Sequence, residues 1–144
     1  MLQMSGLSLI EIQVSFLLVS ISVVGIARLQ LASQQEIEHA ESLGYAYGLL
    51  EETSRRISLN SKSSGDYRIS ELNNYPPYQC LPCSPSQMIK LDHSDISELL
   101  LRHFDQGSAK IFSCNGGICM TIAWQGADIN KCNESETCIE RLIW

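Results

Sequence analysis

Most of the side chains in this sequence that could do chemistry are its six cysteines, Cys80, Cys83, Cys114, Cys119, Cys132 and Cys138. A C-x-x-C pair such as Cys80-Leu81-Pro82-Cys83 can serve as a redox dithiol where it opens a helix, because the helix N-terminus lowers a thiol pKa. That use normally follows a buried strand in a βαβ setting, whereas this pair follows "NNYPPYQ" and has Pro85 close behind it. Zinc is a second use: Cys80 and Cys83 with two later cysteines would make a four-thiolate site, although the 114/119 and 132/138 spacings are untypical of zinc knuckles. Structural disulfides are the third, and a small head with a modest core needs them. The expectation is sequential pairing, Cys80 with Cys83, Cys114 with Cys119 and Cys132 with Cys138; exchange between the first and last pairs is the alternative.

Other chemistry is sparse. His39, His93 and His103 are far apart and lack acidic orienters at ligand spacing, so surface or capping roles are expected of them. The chain has no glycine-rich phosphate loop, no G-x-S-x-G and no H-E-x-x-H. Asn133-Glu134-Ser135 matches a glycosylation sequon, a pattern common by chance. The reading is of a protein that is not an enzyme and carries no cofactor or metal.

A length of 144 residues suits one domain, or an anchor plus one small domain. Sixteen acids against 10 bases give a net charge of -6, which repels phosphate backbones and anionic lipid surfaces. Nucleic acid is therefore not an expected partner. All six cysteines lie in the C-terminal half, and their even number points to an oxidising compartment.

One acid stands where acids are costly. The stretch "GLSLIEIQVSFLLV" puts Glu11 inside an apolar run, and 16 uncharged residues then separate it from Arg28. Residues 7 to 27 cover roughly 30 Å as a helix, the thickness of a bilayer core. A secretory signal would open with Lys or Arg and close on a small-residue cleavage site, but "MLQMSG" has no base and "GIARLQLAS" is a poor site. A carboxylate at that depth costs a few kcal/mol, so a cationic partner is expected for it.

The run from Gly6 through Leu7-Ser8-Leu9-Ile10-Glu11 into "GIARLQLASQQ" resembles the processing site and N-terminal helix of type IV prepilins and type II secretion pseudopilins. The resemblance implies a leader of residues 1 to 6 removed after Gly6 by a prepilin peptidase, with methylation of the new N-terminal Leu7. It also implies that Glu11 neutralises the terminal amine of a neighbouring subunit and so sets axial register. Unlike family leaders, residues 1 to 5 contain no Lys or Arg, which weakens the positive-inside signal. The order "DHSDISELLLRHFDQGSAKIF...GGICMTIAWQG" is similar to minor pilins of the PilV group. On that resemblance the partners are other minor and major pilins, met through the N-terminal helix, together with the prepilin peptidase and an inner-membrane assembly platform. The place is the bacterial inner membrane, single pass, with the head in the periplasm, and the pilus after assembly. The expected role is minor pilin in an initiation or tip complex. Two alternatives are a type II secretion minor pseudopilin and, from another class, a membrane-anchored periplasmic thiol-disulfide protein using Cys80 and Cys83.

These residues require particular elements to position them. With no proline before Pro76, the pattern predicts one helix from Leu7 to Leu59: residues 7–27 in the membrane and 28–60 an amphipathic continuation. Ile37, Ala40, Leu43 or Gly44, Tyr47, Leu50, Ser54 and Ile57 form the expected buried stripe. Residues 61–144 form the head. It opens with the linker "NSKSSG" and a proline-rich loop, then a short helix capped by Asp92 or Ser94, with Ile96, Leu99, Leu100, His103 and Phe104 buried, ending at Gly107. "AKIFSCNGGICMTIAW" predicts a hairpin turning at Gly116-Gly117, with Cys114 opposite Cys119 and Ile111, Ile118, Met120, Ile122 and Trp124 on one face. "CIERLIW" adds an edge strand. The fold class is α+β and pilin-like: a long N-terminal helix on a small antiparallel sheet in a disulfide-stabilised head.

Overall fold

The computed structural model describes residues 9–132 and 137–144. Its elements in chain order are α1 (Leu9–Leu59), a 3-10 helix (Ser61–Tyr67), α2 (Pro85–His103), β1 (Ser108–Cys114), β2 (Gly117–Ala123) and β3 (Cys138–Leu142). The fold is α+β, a long N-terminal helix packed on a three-stranded antiparallel sheet in the order β1-β2-β3. Two compact units divide the chain, Met1–Glu41 and Ser42–Trp144, so the last part of α1 belongs with the head.

In the head unit α1 buries Ala46, Leu49, Leu50, Thr53 and Ile57, with Leu43 packed against them. Spaced three or four apart, these residues make one stripe. That stripe is rotated from the expected one: Leu43, Leu50, the half-buried Ser54 and Ile57 are shared, but Tyr47 and Gly44 face solvent, as do Ile37 and Ala40 in the other unit. Helical spacing gave the period, while the apolar Ile37 and Tyr47 pulled the phase toward the solvent side.

The start of α2 corrects the sequence reading. The helix begins at Pro85, not beside Asp92 or Ser94, and a capping box starts it: the Ser84 hydroxyl accepts from the Gln87 amide, and the Gln87 side chain accepts from the Ser84 amide at 2.9 Å. Pro85 occupies the first helical turn, where a missing N–H costs nothing. The loop ahead of it is tied to α2 by amides of Tyr75 and Tyr78, which donate to the Ser97 and Ser94 hydroxyls at 3.0 Å each. After α2, Gly107 sits so close to Phe104 that a Cβ there would lie 2.7 Å from the Phe104 Cβ.

The hairpin also turns one residue earlier than expected. Asn115 and Gly116 hold φ of 38° and 84°, the pair of positive values that a type I′ turn requires. Cys114 therefore pairs with Gly117, and Cys119 with Phe112. The register differs from the expected one by two positions, which preserves the face of every side chain, so Ile111, Ile118, Met120, Ile122 and Trp124 are all buried. Beyond β1, Ile69 forms an antiparallel bridge to Ile111, covering part of that edge. On the other side β3 pairs along β2, with Ile139 opposite Ile122. Trp124 closes the core against Phe104, ring centroids 5.6 Å apart, and its buried indole N–H meets no acceptor among the described residues.

Candidate membrane and assembly segment

From Leu9 to Ala27, α1 presents apolar side chains on every side, with Glu11 the one charge among them. Leu9 is 73 % exposed and Phe16 76 % exposed, and Leu17, Leu18, Val19, Ile21, Val23, Val24 and Ile26 are exposed with them. Water is a poor solvent for such a surface, since each buried apolar Å² is favourable by about 25 cal/mol. Helical geometry suits a nonpolar surrounding, because it satisfies the backbone internally. Two hydroxyls follow the same rule: Ser20 donates to the Phe16 carbonyl and Ser22 to the Leu18 carbonyl, each at 2.8 Å. The helix is long and apolar enough to cross a membrane.

Glu11 is the one charged residue between Leu9 and Ala27, and it lies in the first turn of the helix as described, exposed beside Ile12, Ser15, Phe16 and Val19. Gly6 and Leu7, where the prepilin resemblance implies processing, lie outside the described residues, as does the sequon match Asn133-Glu134-Ser135.

The head unit carries the cysteines, joined as Cys80–Cys83, Cys114–Cys119 and Cys132–Cys138 with Cα atoms 5.2, 5.7 and 5.2 Å apart. Cys114 and Cys119 stand diagonally on one sheet face rather than directly opposite, within ordinary bridging distance. Paired in this way the sulfurs do not form a four-thiolate set, and no cluster of three potential metal ligands occurs among the described residues. Cys83 sits one residue ahead of the α2 cap, beside a cleft of about 260 Å³ that Arg56, Asn60, Met88 and Asp92 also line.

A partly buried ionic network at that cleft has no counterpart in the sequence reading. The Arg56 guanidinium donates to Glu52 at 2.8 Å, Asp92 at 2.8 Å and Asp95 at 2.9 Å, joining α1 to α2. Asp92 also accepts from the Tyr67 hydroxyl at 2.6 Å. Burial and then this bond push the Tyr67 hydroxyl up to about 12, so it remains a donor at neutral pH. Hydrogen bonds from Arg55 and then Arg56 hold Glu52 down at about 2. Burial opposes the Arg56 charge, but the bonds to Asp95, Glu52 and Asp92 outweigh it and its pKa is raised.

His93 is only 3 % exposed, which corrects the surface or capping role expected of it. Its Nε2 lies 3.0 Å from the Tyr67 carbonyl, and Tyr67 and Tyr75 meet its ring edge-on. Burial lowers its pKa, with the Tyr67 carbonyl opposing. His103 is exposed and stacks on Tyr45 at 4.3 Å, which fits the surface role expected of the histidines and corrects its placement on the buried face of α2. Arg56 and Asp92 are 36 residues apart, so only the fold joins them. The available signal was weak: Asp92 and His93 occupy the same helix face as Ile89 and Ile96, on which a charge needs a partner.

The chain matches no protein-family model, no curated protein and no solved structure.

Proposed function

We propose that this chain is a minor pilin of a type IV pilus, made as a prepilin and held in the bacterial inner membrane by the first part of α1, with the head in the periplasm. The observation that carries the reading is the part of α1 up to residue 27, apolar and exposed with one acid, Glu11, after which the same helix runs on into a disulfide-linked α+β head. Resemblance of "GLSLIE" to the prepilin processing site adds cleavage after Gly6 and methylation of Leu7 by a prepilin peptidase. Assembly then brings the helix among those of other minor and major pilins on an inner-membrane platform. Glu11 is matched there by the terminal amine of a neighbour, which offsets the cost of a carboxylate in an apolar core and fixes the stagger between helices.

The test is Glu11→Ala expressed in place of the parent chain. Loss of co-purification with the other pilins and of its share in sheared pili is expected, with membrane insertion retained. Unchanged co-purification would remove Glu11 from the mechanism. A minor pseudopilin of type II secretion shares every feature used here; deletion decides between the machines, since piliation and twitching fail in one case and exoprotein release in the other.

A further inference from the structure

The three disulfides of the head are not held alike. Cys114 ends β1, Cys119 lies within β2 and is 7 % exposed, and Cys138 opens β3, so two of the bridges are tied to the sheet. Cys80 and Cys83 instead close a ring of four residues in the loop before α2, both half-buried, with Leu81 fully exposed at the tip. Amides of Tyr75 and Tyr78 tether this loop to α2 upstream, and the Ser84 cap starts the helix downstream. Between them, among the described residues, no hydrogen bond leaves the ring.

A cleft opens beside each of the two cysteines. Gln79, Leu81 and Leu91 line one of about 470 Å³ with Cys80, and Arg56, Asn60, Met88 and Asp92 line the other with Cys83. The pair does open a helix, although without the βαβ strand that usually precedes a redox dithiol. Cys83 stands immediately before the cap of the 19-residue α2. Of the first three helical positions, Pro85 has no N–H and the Gln87 amide is taken by Ser84, while the Ser86 amide meets no acceptor among the described residues. A helix N-terminus of this kind favours a thiolate. The charges facing the same cleft, Arg56 and Asp92, are paired at 2.8 Å and largely offset each other.

We propose that Cys80–Cys83 is a thiol-exchange site, open to a dithiol partner while the head stays folded. Exchange proceeds by thiolate attack on one sulfur while the other leaves, and the sulfur that better carries negative charge leaves faster. Attack therefore falls on Cys80, from the side of its own cleft. The partner's first thiolate bonds to Cys80 Sγ, the Cys80–Cys83 bond breaks, and its electron pair goes to Cys83 at the start of α2. The partner's second thiolate then attacks the partner sulfur of this mixed disulfide and frees Cys80. The partner ends as a disulfide and is oxidised; Cys80 and Cys83 end as thiols, taking up the two protons that the partner's thiols gave up. This site stands apart from the assembly role, since nothing in it draws on the N-terminal segment.

The test treats the full chain in nonionic detergent micelles with dithiothreitol at pH 7, quenches with acid and maps the labelled cysteines by mass. Cys80 and Cys83 are expected to open faster than either other pair by about tenfold or more, with the helix signal and the cooperative melting of the head retained. Mercaptoethanol, a monothiol, should be trapped on Cys80. In Cys80→Ser the remaining Cys83 thiol should alkylate faster in the folded chain than in urea, because only the folded chain sets it at a helix start. Opening of all three pairs together, opening of another pair first, or loss of the folded head when Cys80–Cys83 opens would overturn the proposal. So would a monothiol adduct on Cys83, or faster alkylation of Cys83 in urea.

Discussion

His93 shows how burial turns an ordinary side chain into a pH-dependent one. Enclosed by Tyr67 and Tyr75, it is held neutral, with a folded pKa below the usual 6.5. A base depressed in the folded state binds its proton more readily in the unfolded chain. Its contribution is therefore complete above about pH 6.5 and is lost as the pH falls below that value, by up to about 1.4 kcal/mol per pH unit. Urea unfolding of the full chain at pH 7, 6 and 5 should show falling midpoints, and His93→Gln should flatten the fall. Parallel pH profiles for the two proteins would assign the acid sensitivity elsewhere. Glu52, held near 2, adds a separate loss as the pH drops through the range below 4.5. In the residues themselves only the place of His93 on the face of Ile89 and Ile96 was legible, because Tyr67 and His93 become neighbours only when the 3-10 helix and α2 pack together.

Elements were more legible than their boundaries. The hairpin was found because alternating apolar residues flank a glycine pair, yet Asn115-Gly116 competed with Gly116-Gly117 and asparagine tolerates positive φ. Side-chain faces survived that error because the register moved by two. For α2 the prolines were read as breakers throughout, while Ser84-Pro85-Ser86-Gln87 contains both a capping box and a proline suited to the first turn. This gives a direct test at the same scale. Ser84→Ala should cost about 1 kcal/mol and lower the melting temperature of the head by roughly 4–8 °C. A variant that melts with the parent would mean that the Ser84 hydroxyl does not hold the start of α2.

At the scale of the whole molecule, one helix carries two different surfaces. Through residue 27 it is apolar on all sides; from Leu43 to Ile57 a single stripe is buried under the sheet and α2. The first surface was plain in the sequence, since a long uncharged run needs no fold to be recognised. The second had the right period and a shifted phase, because Ile37 and Tyr47 are apolar residues that this chain leaves exposed. Under the proposed pilin role, such exposure suits a subunit whose remaining contacts are made by neighbours. Three disulfides cross-link the head around its small core.

The measurement that bears most directly on this account is the intact mass and N-terminal sequence of the membrane-extracted protein, expressed with and without an active prepilin peptidase. Loss of residues 1 to 6 and one added methyl on Leu7, seen only with the peptidase, is the predicted result. An unaltered N-terminus in the presence of the active peptidase would contradict it, leaving "GLSLIE" a chance match on an ordinary membrane anchor.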